Sequence, residues 1–243
     1  MIVDAMRDGY TITEVRPEFV PADAAGAYAL QRDILRLRDT GIGGWKVGSK
    51  SATGGQINGS LLPDDGIFAS GSQVEIIDYP QPALELEIAF RLNRTFTPRE
   101  QPYSDDEVLG SIGWMGTTIE VVSSRFAAAP KIDLLLALGD LMNHGALIVG
   151  DFVHYDAGFP FLEPSLTFTY NETDIVPGDG ANPAGDPRRL LPWLVNHHTQ
   201  NGHSVTPDLV ITTGSYTGVY KVQVPGIAVG EITGLPPITF ELI

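Results

Sequence analysis

LELEIAFRL, residues Leu84–Leu92, is the stretch on which the reading of this chain turns. Side chains alternate faces along a strand. Leu84, Leu86, Ile88 and Phe90 then cover one face, and Glu85 and Glu87 point together to the other. Neighbouring carboxylates repel, so the pair wants a cation or a proton between them. Carboxylate oxygens are hard ligands, suited to Mg2+, Mn2+ or Ca2+. A half-buried strand with a wet outer face explains the same pattern. Glu120 weighs on the choice, because it is a lone carboxylate in the otherwise apolar TTIEVV (Thr117–Val122). Buried carboxylates are rare unless paired, hydrogen-bonded or bound to metal. Glu120 is expected either to pair with Arg125 or another base, or to join Glu85 and Glu87 as a third ligand. Three carboxylates would leave about half of an octahedral shell to water and substrate.

Outward from this stretch the chain is β-rich. VEII (Val74–Ile77), ALIVG (Ala146–Gly150), SLTFTY (Ser165–Tyr170), LVITTG (Leu209–Gly214) and the C-terminal ITFELI read as strands between Gly- and Pro-rich segments. Asp23–Asp39 reads as a helix with a mostly one-sided apolar stripe, stopped at Gly41. Ser104 and Glu107 form a capping-box pattern that starts a second helix. RRLLPWLVNHHTQ carries a third, with Pro192 in its first turn. Pro177–Arg189 is a polar loop. Long strands with scattered helices predict an α+β fold with a mixed or antiparallel sheet, and regular strand–helix alternation is absent.

The 243 residues suit one large domain, 1–243, with a small N-terminal helical segment over 1–42. The chain has no cysteine, which excludes disulfides, thiolate metal sites and cysteine nucleophiles. It has no run of about 18 apolar residues, so no membrane span is expected. The N-terminus lacks a basic start followed by an apolar stretch, and a cytoplasmic location is expected. The net charge of −15 repels nucleic acid and anionic membranes, so neither is an expected partner.

Other residues offer chemistry less sharply. Lys46, in GGWKVGSKS, sits among apolar residues and glycines where a lysine near a site shifts its pKa readily, although a snorkelling surface lysine reads the same. In TTGSYTG (Thr212–Gly218), backbone N–H groups with Ser215 and Thr217 could hold a carboxylate, or form a plain turn. The five histidines lack zinc spacing, and His197 and His198, at a helix C-terminus, read as solvated.

Taken together, AYALQ (Ala27–Gln31), GWKVG (Gly44–Gly48), PALELEIAF (Pro82–Phe90), IEVVSSR (Ile119–Arg125), Asp140–Gly150, LLPWLVNH (Leu190–His197) and TTGSYTG resemble, in order, the hydratase/decarboxylase branch of the fumarylacetoacetate hydrolase superfamily. The resemblance implies a mixed β-roll of that superfamily's C-terminal-domain type. It implies Mg2+ or Mn2+ on Glu85, Glu87 and Glu120, Lys46 as the active-site lysine, and a substrate-binding turn at Gly214, Ser215 and Thr217. Asp140 is a candidate for proton transfer. Leu141 departs from the family's Ala-Asp-Asn, with Asn143 close by. Ser49–Gly66 matches loosely and is expected to cover the site. The first histidine is His144, so the His–Glu pair of the family's hydrolases cannot form in its usual place.

The implied enzyme is a lyase of aromatic catabolism. Its partner would be a small 2-oxo or 2-hydroxydienoic acid, whose developing enolate a divalent cation stabilises as a Lewis acid. Hydration of a 2-keto-4-pentenoate type is the first expectation, decarboxylation of a 2-oxo-hexenedioate the alternative, and a non-catalytic partner subunit a third. Family members assemble as dimers or rings, so a homo-oligomer is expected.

Overall fold

In the computed structural model, which describes residues 1–127 and 132–243, LELEIAFRL lies at the centre of a large sheet. The strands are β1 (Ile42–Ser49), β2 (Ile57–Pro63), β3 (Ile67–Ala69), β4 (Gln73–Val74), β5 (Ala83–Leu92), β6 (Ile112–Val122), β7 (His144–His154), β8 (Leu166–Tyr170), β9 (Thr173–Asp174), β10 (Val210–Ser215), β11 (Tyr220–Lys221), β12 (Gly226–Ile232) and β13 (Ile238–Leu242). The main sheet has the order β2-β1-β10-β5-β6-β7-β3, with β11 also paired to β5, and a second sheet has the order β4-β13-β12-β8-β9. The pairs β1/β10, β3/β7 and β4/β13 are parallel within otherwise antiparallel ladders, so the mixed α+β expectation holds.

The apolar face of β5 is the main core. Leu84, Leu86, Ile88 and Phe90 are all fully buried. Gly230 of β12 lies over Leu86, where a Cβ would collide with Leu86 Cδ1, so only glycine lets the sheets approach this closely. The opposite face is not wet. Glu87 is 1 % exposed and Ala89 fully buried, which removes the solvated-strand explanation for the two glutamates.

The helices are α1 (Ile2–Asp8), α2 (Ala24–Arg38), α3 (Asp105–Leu109), α4 (Leu134–Gly139) and α5 (Leu191–Gln200). Asp23 caps α2 by accepting from Gly26 N at 2.8 Å. The stop is Asp39, in the left-handed region at φ 54°, rather than Gly41. The capping box at Ser104 forms as read, with Ser104 N donating to Glu107 Oε2 at 2.8 Å.

Three local expectations change. Of VEII only Val74 lies in a strand, β4; Ile76 N still donates to Ile243 O at 2.9 Å, but Ile76–Asp78 turns into a 3-10 helix and Ile77 is exposed. Of Ser49–Gly66, Ser49 borders the cavity described below, but the C-terminal half is a sheet strand rather than a cover. Its Ile57–Pro63 portion pairs along the whole of β1 and buries Leu61 and Leu62. Asp64 of the same segment is tied to Thr40, and Asp65 to Arg38. His198 is buried and packs on Trp45 instead of standing in solvent, and burial holds its pKa well below the ordinary imidazole value.

Candidate active site

The antiparallel pairing of β5 and β6 sets Glu85 opposite Glu120 and Glu87 opposite Thr118. That register brings oxygens of Glu85, Glu87 and Glu120 within 4.8 Å of one another. Lys46 approaches from β1. Its Nζ donates to Glu120 Oε1 at 2.6 Å and to the Met142 carbonyl at 3.1 Å. Glu120 thus pairs with Lys46 rather than with Arg125. Lys46, Glu87 and Glu120 are buried and Glu85 is half-buried, and three carboxylates beside one ammonium sum to −2 when all are ionised. A divalent cation is the hard ion that balances that sum.

The residues fit such an ion in two further respects. Glu120 Oε2 is buried and has no hydrogen-bond partner, although its other oxygen has two. A buried carboxylate oxygen left bare is costly unless something positive meets it. The pKa values carry the same signal. Burial, then Glu120 and Glu87, push Glu85 up to about 8; burial, then Glu120, push Glu87 up to about 7. Burial would depress the Lys46 ammonium, but Glu120, Glu85 and Glu87 outweigh it and hold the pKa above its ordinary value.

Glu87 is braced from behind. Thr212 Oγ1 donates to Glu87 Oε2, with Thr118 Oγ1 at 3.0 Å from the Thr212 hydroxyl, and Gly214 N donates to the same carboxylate oxygen at 2.9 Å. Gly214 takes φ 92°, a conformation that costs glycine little and lets its N–H turn onto Glu87. The β10 turn is therefore tied to the acidic trio. Ser215 Oγ donates to Gly218 O at 2.9 Å, and Thr217 lies beneath, its hydroxyl accepting from Leu86 N at 3.3 Å. Gly214 and Ser215 line the cavity in front of the trio, whereas Thr217 braces the turn.

That cavity has a volume of about 390 Å3 and is walled by Lys46, Glu85, Glu87, Met142, Asn182 and Val219 among others. Asn182 comes from the polar loop read at Pro177–Arg189. Its amide donates to Thr213 O and Gly214 O, both at 2.9 Å, and clips the loop to the end of β10. Met142 sits in an unusual turn: Leu141, Met142 and Asn143 have φ of 51°, 53° and 61°, three successive non-glycine residues in the left-handed region. The outcome is a carbonyl aimed at Lys46.

Asp140 does not reach the cavity. It is fully buried and accepts from Arg125 Nε at 2.6 Å and from Arg125 N at 3.0 Å. Arg125 is itself 3 % exposed. Removing one partner of a buried ion pair typically costs about 3–5 kcal/mol. Asp140→Asn is accordingly expected to lower the unfolding free energy by that order while the folded fraction keeps most of its turnover. A large fall in kcat at unchanged melting temperature would instead make Asp140 a proton-transfer group.

The sequence assigns no role to His144, Met142, Asn182 or Thr212, although the first two lie within Asp140–Gly150 and Thr212 opens TTGSYTG. His144 is buried, with Nδ1 3.0 Å from Glu120 Oε1. The only signal was an Asn-His-Gly sequence opening an apolar strand.

Glu85, Glu87 and Glu120 thus form a cluster that could hold a metal ion, with Lys46 beside it. No family model matches the chain. It is 25 % identical over 241 residues to a 2-keto-4-pentenoate hydratase of Burkholderia vietnamiensis, covering 96 % of this chain and 91 % of that one. It is 24 % identical to a 2-keto-4-pentenoate hydratase of Paraburkholderia phymatum, with the same coverage. Among solved structures, the 4-oxalocrotonate decarboxylase from Pseudomonas putida G7, complexed with magnesium and adipate, superposes with a TM-score of 0.84 at 20 % identity, covering 100 % of this chain and 94 % of that one. These matches bear out the resemblance to the hydratase/decarboxylase branch of the fumarylacetoacetate hydrolase superfamily.

Proposed function

We propose that this chain is a divalent-metal-dependent lyase that hydrates a small 2-hydroxy-2,4-dienoic acid. The observation that carries the reading is the trio Glu85, Glu87 and Glu120 beside Lys46, with Lys46, Glu85 and Glu87 on the wall of one cavity and Glu120 buried behind them. A bound Mg2+ or Mn2+ supplies Lewis acidity toward the carboxylate and 2-oxygen of such an acid. Glu120 holds the Lys46 ammonium in place, and Lys46 offsets substrate charge and moves protons at its Nζ. Gly214 and Ser215 shape the wall where the substrate carboxylate rests, and Thr217 keeps that turn rigid.

Hydration is favoured over decarboxylation of a dicarboxylate by the rest of the lining. Among the described residues Lys46 is the one cation on the cavity wall, and Val47, Gly48, Ala181, Pro183 and Val219 are apolar or small. A second carboxylate would find no counter-charge there. The decarboxylase reading draws on Arg189, which lies behind Ser49 and bonds backbone carbonyls of Ser51, Gly54 and Ala184 with no carboxylate partner among the described residues. The test offers 2-hydroxypenta-2,4-dienoate and 2-oxo-3-hexenedioate separately, following dienol absorbance and CO2. Water addition to the first without CO2 from the second is expected; CO2 release from the second with no hydration of the first reverses the assignment.

As part of this reading the chain is one catalytic unit in the cytoplasm that works as a homo-oligomer. Two features support it. No helix among the described residues is long and apolar enough to cross a membrane. Met1, Phe19 and Leu37 also expose apolar surface around a groove that Leu30, Ile34 and Leu136 line.

A further inference from the structure

Glu120 is held at one oxygen by two donors of different character. Lys46 reaches Oε1 at 2.6 Å on a flexible four-carbon stem, whereas His144 Nδ1 stands 3.0 Å away on a rigid ring. Facing a carboxylate, Nδ1 is the nitrogen that carries the proton. The ring is anchored through its own backbone. Arg125 donates to the His144 carbonyl and is locked in turn by the side chain and carbonyl of Asp140. A buried line of contacts therefore runs Asp140–Arg125–His144–Glu120.

The far side of the ring has no hydrogen-bond partner among the described residues. His144 Nε2 is buried and without a partner, and it faces Gly66, where a Cβ would stand 3.6 Å from it. Behind it lies a separate polar cavity of about 230 Å3, lined by Arg38, Asp65, Tyr79 and Ser123 with His144. Among the described residues, no hydrogen bond fixes the ring from that side. The contact with Glu120 is the one side-chain bond that His144 makes, so the residue's polar chemistry is spent on the carboxylate.

We propose that His144 is a positioning residue for Glu120, fixing the carboxylate plane so that the unpartnered Oε2 stays available to a cation shared with Glu85 and Glu87, and thereby setting the affinity of the trio for that cation. This rests on the reading that the trio binds a divalent ion. A carboxylate bonded only by Lys46 could swing about its Cγ–Cδ bond whenever the lysine moves toward substrate. The histidine keeps the unused oxygen in register. Partners that orient ligands from behind in this way typically contribute about 10–100-fold in metal affinity.

The test is calorimetric titration of the metal-free protein with Mn2+, with no substrate present. His144→Asn places an amide nitrogen where Nδ1 stands, and His144→Gln places one where Nε2 stands. The Asn variant is expected to keep Mn2+ affinity near that of the wild type, and the Gln variant to lose about 10–100-fold. Circular dichroism and melting of the metal-free proteins check that both are folded, and the pair remains informative if His144→Ala does not fold. Equal affinity in wild type, Asn and Gln variants overturns the positioning role alone. Equal loss in two folded variants also overturns it, because the retained donor would then be irrelevant. A wild type that binds no Mn2+ removes the metal reading itself.

Discussion

Glu87→Gln is expected to leave a folded protein that no longer holds its divalent ion and no longer turns over. The substitution removes one of three negative charges at nearly constant volume, and its amide can still meet Thr212 or Gly214. With Lys46 retained, the site's formal charge drops from −2 to −1, and a hard ligand is lost. The loss should exceed the about 10–100-fold of an orienting partner, since Glu87 is itself a ligand. Turnover should vanish with it, and chelation of the wild type should have the same effect until Mg2+ or Mn2+ is returned. Full activity of the chelated wild type would end the metal assignment.

The same site gives a pH dependence with a definite sign. Burial and neighbouring charge put Glu85 at about 8 and Glu87 at about 7 in the metal-free protein. Both folded values lie above the ordinary carboxylate range. The stability they contribute is therefore full at acid pH, below the unfolded value, and is lost as pH rises through about 7 and 8. Chelated protein should melt lower at pH 8 than at pH 6. Added cation should reverse the trend, because its binding displaces those protons and tightens as pH rises.

Lys46→Met should separate two properties that Glu87→Gln loses together. Removing the ammonium makes the metal-free trio more negative, so Mn2+ binding should persist or tighten. Turnover should fall by about 10²–10⁴-fold, the usual contribution of a positioned proton-transfer group. A variant with wild-type kcat/KM would reduce Lys46 to a structural counter-ion of Glu120. Loss of Mn2+ affinity alongside activity would mean that the lysine mainly organises the carboxylates.

The acidic trio was legible in the sequence because strand alternation is strict. Glu85 and Glu87 had to share a face, and Glu120 stood out as the one charge in an apolar strand. What stayed hidden depends on which strands pair. The facing of Glu85 and Glu120 is a property of the β5–β6 register, and the reach of Lys46 depends on β10 lying between β1 and β5. β2 is hard to read from the sequence because glycine, serine and asparagine interrupt its apolar pattern, and pairing along β1 overrides that weak propensity. Asp140 read as a proton carrier because no local pattern reveals that Arg125, 15 residues earlier, closes onto it. Thr217 lies in the turn, but its hydroxyl points into the fold to meet Leu86 N, which no local pattern shows.

The left-handed turn at Leu141–Asn143 has a consequence for how durable this protein can be made. Asparagine tolerates that conformation, but leucine and methionine each give up about 1–2 kcal/mol to hold it. The fold absorbs this by burying Leu141 completely and clamping Asp140 just before it. A glycine at Met142 would ease the backbone and harden the protein against heat. It would also let the carbonyl beneath Lys46 wander. Heat tolerance and a fixed lysine therefore compete at a single peptide unit, and breeding this chain for thermal endurance would select against its own chemistry there.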